Sequence, residues 1–356
     1  MKNHLEPPKA QLSGPTTPAP RGTHRERHAG RVVGWFVCVS LVAVLASVSL
    51  AVGSRTIPPD GVWRALSGHG SAAETAVVWQ LRMPRTVLGC VVGAALGVAG
   101  VVMQSLTRNP LAEPGLAGVN AGASFAVVVA VSLFGVTQTS GYVWFAFGGA
   151  VMAALAVHGL TRRNAAGQHT RLVLAGAAAS ATLGAVTGIL TMFDTDAFDS
   201  YRFWVVGALE NRGTPALVAS VPFVVVGIAL ALPLGPALNA LALGEEQGSA
   251  LGLRTGAVRA AGLMSVMLLC GAATAAAGPI AFVGLVVPHV LRMMLGPDVR
   301  WLLAYAVPAG AVLVLVGDIV GRVVAGPGEI EAGIVTAFMG APVLMWLVNR
   351  SRKGRI

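Results

Sequence analysis

Asp318 and Arg322 stand four residues apart in a long apolar run, a spacing that puts both on one helix face where they can pair. A charge inside a membrane-length segment is expensive and is a functional candidate by default. A paired acid near the end of such a segment is a poor proton relay, so structural pairing is expected here. Arg82 and Arg85 flank Met83-Pro84 at the head of another apolar run. With Arg322 they read in one of two ways. They snorkel to lipid headgroups, or they form a basic docking face for an acidic partner, which sets orientation and on-rate. Glu113 follows Asn109-Pro110 in a turn, where solvation or helix capping is expected rather than ion coupling.

The rest of the chemical inventory is thin. The only lysines are Lys2, Lys9 and Lys353, and none closes a GxxxxGK[ST] phosphate loop. No GxSxG nucleophile elbow occurs. The seven histidines include no HExxH, which argues against a catalytic zinc. Cys38, Cys90 and Cys270 have neither metal-ligand nor disulfide-framework spacing and read as small apolar fillers. This chain is therefore expected to bind no metal or cofactor itself. If ATP and Mg drive it, another subunit holds them.

The elements that position these residues follow from composition. The chain is 55% apolar, 11% charged and has a mean hydropathy of +0.72, against roughly 25% charged in a soluble domain. Apolar stretches of about 20 residues recur, continuous rather than alternating, as membrane helices require and barrel strands do not. The expected fold is all-α: a polytopic bundle of about ten spans near 32–52, 86–106, 116–136, 143–160, 171–192, 214–232, 257–277, 280–296, 301–321 and 332–348. Residues 1–30, proline-rich and basic without apolar periodicity, read as a disordered tail. Residues 31–350 form the membrane domain, and 351–356 a second basic tail. A cleavable signal competes for the first span, but its apolar run exceeds a signal core and further spans follow. Of 25 Lys and Arg, 18 fall on the N-terminal side of the membrane in this topology. That asymmetry puts both termini in the cytoplasm. It also accounts for the net +10 without nucleic acid.

Two helices carry small residues at four-residue spacing: Gly89, Gly93 and Gly97 in the second span, and Gly176, Ser180, Gly184 and Gly188 in the fifth. Such stripes let another backbone approach closely. They read as packing within one subunit, or as a subunit interface or pathway lining. Three loops hold more than a turn: 53–85 outside, the acidic and aromatic 193–213 outside, and 233–256 inside. The last contains one helix-like run, Ala237 to Leu251, richer in Leu and Ala than a mobile linker and suited to docking a partner.

Six ordered blocks resemble the permease family of the iron-siderophore, haem and vitamin B12 ABC importers. They are WQLRMPRT (79–86), TRNPLAEPGLAGVNAGA (107–123), NALALGEEQGSALGL (239–253), GPIAFVGLVVPHVLR (278–292), GDIVGR (317–322) and GIVTAFMGAPVLMWL (333–347). The resemblance runs from about Val32 to Arg350. It implies ten helices per subunit and a second permease subunit, identical or paralogous. It also implies two cytoplasmic ATP-binding subunits and an extracytoplasmic substrate-binding protein. On this resemblance Arg82, Arg85 and Arg322 would meet glutamates of the binding protein. Gly244, Glu245, Glu246, Gln247, Gly248, Ser249, Ala250, Leu251 and Gly252 would form the coupling helix. His169 and Thr170 would fall at a cytoplasmic gate, beside the Gly176–Gly188 stripe. One departure stands out. Where the family often has Glu-Leu-Pro-x-Gly, this chain has Glu329-Ile330-Glu331-Ala332-Gly333. The entry geometry of the last helix is open at that point.

These readings converge on a non-enzymatic transport subunit of the bacterial cytoplasmic membrane. Its expected cargo is a metal chelate, foremost a ferric siderophore, with haem or cobalamin as alternatives. An ion-coupled secondary carrier and a membrane-embedded enzyme are the rivals from other classes.

Overall fold

The computed structural model describes all residues except 1–23, 54–56, 137, 162–167, 251, 327 and 353–356. Among them there are helices and turns and no strand. Seven helices are long and apolar enough to cross a membrane, and three shorter apolar helices bring the number to the expected ten.

Helix α1 (His24–Ala51) is followed outside by α2 (Pro59–Leu66) and α3 (Ala72–Ala76), which lead into α4 (Met83–Thr107). Helices α5 (Val119–Phe134), α6 (Thr139–Thr161) and α7 (Gln168–Phe193) come next, then the outer α8 (Thr195–Val205) and α9 (Gly213–Ala231). On the inner side lie α10 (Gly235–Ala242) and α11 (Glu245–Ala250). The chain finishes with α12 (Thr255–Ala277), α13 (Val283–Leu295), α14 (Val299–Val324) and α15 (Ala332–Arg352). Two boundaries differ from the sequence expectation. Helix α1 already begins at His24, inside the segment 1–30 read as a tail, and α15 runs on to Arg352. Both extensions are polar continuations of apolar helices into water, which hydropathy does not register.

The centre of the bundle is α4, α12 and α14, whose most apolar windows are 83%, 72% and 56% buried. By the same measure α1 is 6% and α7 11% buried, so these two lie at the periphery. Glycine explains why α4 and α14 sit so close. A Cβ on Gly93 would overlap the Gly310 carbonyl, and one on Gly310 would overlap the Gly93 carbonyl. A Cβ on Gly100 would overlap the Gly284 carbonyl of α13. The stripe on α4 is thus packing within one chain. The stripe on α7 is different: a Cβ at Gly184 or Gly188 would meet nothing within 4 Å.

Helix α4 is entered through a π-helical turn, Val77–Arg82. Pro84 lacks an N–H and its ring crowds the carbonyl four residues back, so the ladder there slips from i−4 to i−5. The Met83 N–H accordingly donates to the Val78 carbonyl. This slip sets the directions in which Arg82 and Arg85 leave the helix.

Helices α5 and α13 have 16 and 13 residues. At 1.5 Å per residue, α13 reaches only about 20 Å of a roughly 30 Å hydrocarbon layer. Irregular backbone at such depth is tolerated only when protein satisfies it. Glu113 does this for α13. Its Oε1 accepts the N–H of Phe282 at 2.7 Å, the residue that precedes α13 and holds a left-handed φ of 69°. Capping is therefore the role of Glu113, applied to a helix 169 residues away.

Candidate functional site

Two regions gather the residues with chemistry: an outer cleft and an inner ledge.

The outer cleft has a volume of about 420 Å³ and is lined by Arg82, Arg85, Arg322, Gln80, Glu210 and Glu329 among others. The three arginines come together here, although 240 residues separate Arg82 from Arg322. They do not stand out into solvent as a simple docking face would. Arg82 and Arg322 are buried, with 7% and 5% exposure. Arg322 Nη2 reaches Asp318 Oδ2 at 2.6 Å and Ser49 Oγ at 2.6 Å. Its Nη1 donates to the carbonyls of Ser49 and Val52 at 2.9 and 2.8 Å. Arg82 Nη1 donates to the carbonyls of Leu50 and Ala51 at 2.7 and 2.9 Å. A helix leaves its last four carbonyls unpaired and carries partial negative charge there. Arg82 and Arg322 together supply cation and donors to that end of α1.

Arg85 completes the cluster. It grips Asp318 through Nε at 3.0 Å and Nη2 at 2.8 Å, and Glu329 through Nη1 at 2.5 Å. Asp318 is fully buried and serves two arginines at once. Pairing of Asp318 with Arg322 was legible from spacing, whereas the second cation was not. Glu210 and Glu331 add acid at the rim. Burial, and then the neighbouring Glu329, raises the pKa of Glu210 above the usual carboxylate range. Burial, and then Glu210, does the same for Glu331. Glu331, which stands where the resembling family has proline, does not disturb the entry to α15. Its carbonyl accepts the N–H groups of Ile334 and Val335 at 3.0 and 3.2 Å. The Gly333 N–H donates to the Gly207 carbonyl at 2.8 Å. A Cβ at Gly333 would overlap the Val206 carbonyl, so close backbone contact fixes this entry without proline.

The inner ledge is α10 and α11. The sequence suggests one helical run from Ala237 to Leu251. The structure divides it, because Gly244 adopts φ 132° and ends the first helix. Helix α10 is fastened to the bundle: Leu238 and Leu241 are fully buried. Asn239 donates to Asp298 Oδ1 at 2.7 Å and accepts the Val299 N–H at 2.8 Å, tying α10 to the start of α14. On α11, Gly248 faces the protein and is buried, while Glu246, Gln247, Ser249 and Ala250 are exposed. Gly252 turns the chain with φ 81°. Leu251 and the side chain of Glu245 lie outside the described residues.

His169 and Thr170 fall in the first turn of α7, and their side chains lie outside the described residues. Above them Gly176 is buried, Ser180 half-buried, and Gly184 and Gly188 exposed. Met192 continues this face, and Val186, Ile189 and Phe193 elsewhere on the same stretch of α7 are exposed too. The residues that sequence inspection missed are Ser49, Gln104 and Asn239. Gln104 bridges Arg292 Nη1 at 2.6 Å and the Gly284 carbonyl at 3.2 Å. A lone amide in an apolar run was the available signal in each of the last two, since a buried amide must find partners.

The chain is similar to known proteins over most of its length. The chain is 44% identical to the ferric enterobactin transport system permease protein FepD of Escherichia coli (strain K12), covering 88% of this chain and 94% of that one. It is 36% identical to the vitamin B12 import system permease protein BtuC of Salmonella paratyphi A, over 93% of this chain and 99% of that one. A solved structure of a metal-chelate type ABC transporter in an inward-facing conformation superposes with a TM-score of 0.78 at 28% identity, covering 89% of this chain and 98% of that one. The model of the FecCD transport family matches residues 41–350, nearly the whole membrane domain, and the chain belongs to that family.

Proposed function

We propose that this chain is the permease subunit of an ABC importer for a ferric siderophore, working with a second permease, two cytoplasmic ATPases that hold ATP and Mg, and an external binding protein. The observation that carries this reading is the inner ledge. Its α10 half is fastened to the bundle and its α11 half presents a short exposed face. Such a ledge can receive motion from a partner and pass it to α14. The permease does no bond chemistry. It offers two pathway states, and differential binding of the ATPase in its nucleotide states shifts their populations. The bare stripe on α7 suits the second permease or the pathway between the two. The similarity to the ferric enterobactin permease favours a siderophore over haem or cobalamin as cargo.

Reconstitution tests the whole reading. Vesicles containing the permease, its ATPase and its binding protein should accumulate a ferric catecholate only when ATP reaches the ATPase side. Uptake that follows an imposed ion gradient and ignores ATP would overturn it. Coupling is tested at Ala250, on the exposed face of α11. Ala250→Trp should reduce transport at least tenfold at normal membrane insertion, because the bulk stands where the ATPase must seat. Gly248 is unsuited to this test since it faces the bundle.

We assign docking of the binding protein to the outer cleft, whose floor is the buried, paired arginine cluster rather than projecting contacts. Reversing Arg82 or Arg322 would also release α1. Gln80, exposed at the rim, is the cleaner probe. Gln80→Glu should slow association of an acidic binding protein several-fold at low salt. The difference should shrink at 0.5 M salt, where the screening length falls well below the roughly 8 Å of physiological solution. Equal on-rates at both salts would remove the cleft as the docking site.

A further inference from the structure

Helix α1 lies at the periphery and packs on the bundle along one half-buried face, Arg31, Trp35, Cys38, Val42, Leu45 and Ser49. At its inner end Arg31 Nη2 donates to the Leu295 carbonyl at 3.1 Å, and its guanidinium carbon lies 5.8 Å from the centre of the Trp301 ring. Tyr305 donates to the Arg31 carbonyl. His28 packs on Trp301 with ring centroids 5.7 Å apart, and Trp35 Nε1 donates to the Ala304 carbonyl at 3.0 Å. Directly above this basic and aromatic corner a groove of about 320 Å³ opens between α1, α13, α14 and α15. Its lining is wholly apolar, with Cys38, Leu291, Ala309, Val312, Leu313 and Met339 among it.

The groove and the corner are one continuous feature. Arg31, Trp35 and Cys38 follow one face of α1, and Tyr305, Ala309 and Val312 follow one face of α14. Arg31 to Cys38 is two turns, about 10 Å. The groove therefore begins where an acyl chain leaves a headgroup held at the helix ends. The corner has the make-up of a membrane interface: Trp and Tyr at headgroup depth and a cation beside them. A guanidinium has five donors, and the bond to Leu295 uses one.

We propose that an anionic phospholipid of the inner leaflet binds here, with its phosphate on Arg31 and His28 and one acyl chain in the groove beside Cys38 and α14. Negative charge is selected by Arg31 and by the absence of any carboxylate among the groove and corner residues named above. The nearest acid of α14, Asp298, is engaged by Asn239 and Arg300. The acyl chain fills the groove beside Cys38, so the lipid acts as a ligand of the folded chain rather than as bulk solvent.

The test uses the full chain in phosphatidylcholine vesicles containing a phosphatidylglycerol with a photoreactive group midway along one chain. Cross-links should concentrate on peptides around Cys38 and 309–316. Excess phosphatidylglycerol should compete them away, and phosphatidylcholine should not. Arg31→Gln should lower the yield about fivefold, the effect of one basic residue at an anionic membrane surface. Ala309→Phe, which fills the groove, should abolish the cross-link at Cys38 while labelling of the lipid-facing Val225 and Val226 on α9 persists. That persistence reports correct insertion of both variants. Yields at Cys38 that match those on α9, or that neither variant changes, would overturn the site. Equal competition by phosphatidylcholine would overturn its preference for negative charge.

Discussion

Asp318→Ala should destabilise the permease by about 3–5 kcal/mol, the cost of leaving buried charges without their counter-ion. Asp318 is fully buried and neutralises Arg85 at 2.8 Å and Arg322 at 2.6 Å. Removing it strands two cations in a protein interior. Arg322 would lose the carboxylate that orients it toward Ser49 and Val52, so the outer end of α1 should loosen as well. Unfolding in mixed detergent would measure the first effect, and protease access to the loop after α1 the second. The comparison is Asp60→Ala. Asp60 pairs with Arg64 at 2.6 Å, but both side chains are half or more exposed, and solvent screens such pairs so that they contribute little. A loss at Asp318 no greater than at Asp60 would mean that the outer cluster does not hold the fold.

Gly310→Leu should cost more than about 3 kcal/mol, beyond ordinary overpacking, because the obstacle is backbone and not a movable side chain. Helices α4 and α14 meet glycine to glycine at Gly93 and Gly310, with each carbonyl where the other's Cβ would stand. The axes would have to separate along the most buried contact of the bundle. Gly188→Leu on α7 should leave the stability of the single chain within about 0.5 kcal/mol, as for a surface change. Its space is open within 4 Å. It should instead reduce association with the second permease or block the pathway. If Gly188→Leu destabilises the isolated chain as much as Gly310→Leu, the α7 stripe is internal packing.

Hydropathy and charge asymmetry made the number of spans legible, because burial in lipid imposes a length and a composition that few other folds share. Local spacing also read well. Asp318 and Arg322 pair as an i, i+4 rule requires, and the α4 glycines mark a close helix contact. What spacing cannot supply is the distant partner. Arg85 reaches Asp318 across 233 residues, and Glu113 caps Phe282 across 169. Neither pairing leaves a trace in the local pattern of a single chain. The outer arginines illustrate the point most clearly. Their position on the side that basic residues avoid marked them as exceptional. Whether Arg82 faces a partner or the end of α1 depends on the slipped turn before Pro84, a backbone detail that composition does not encode.

The clamp on α1 has a consequence for synthesis. Ser49 and Arg322 lie 273 residues apart. At ribosomal speeds of about 5–20 residues per second, roughly 14–55 s pass between the making of α1 and the arrival of its last clamp. During that interval the carbonyls at the outer end of α1 depend on Arg82, which emerges early, and on interfacial water. A chain stopped before α14 would hold the outer carbonyls of its first helix with one of their two arginines. Quality control that samples exposed helix ends would have a timer built into the order of the chain.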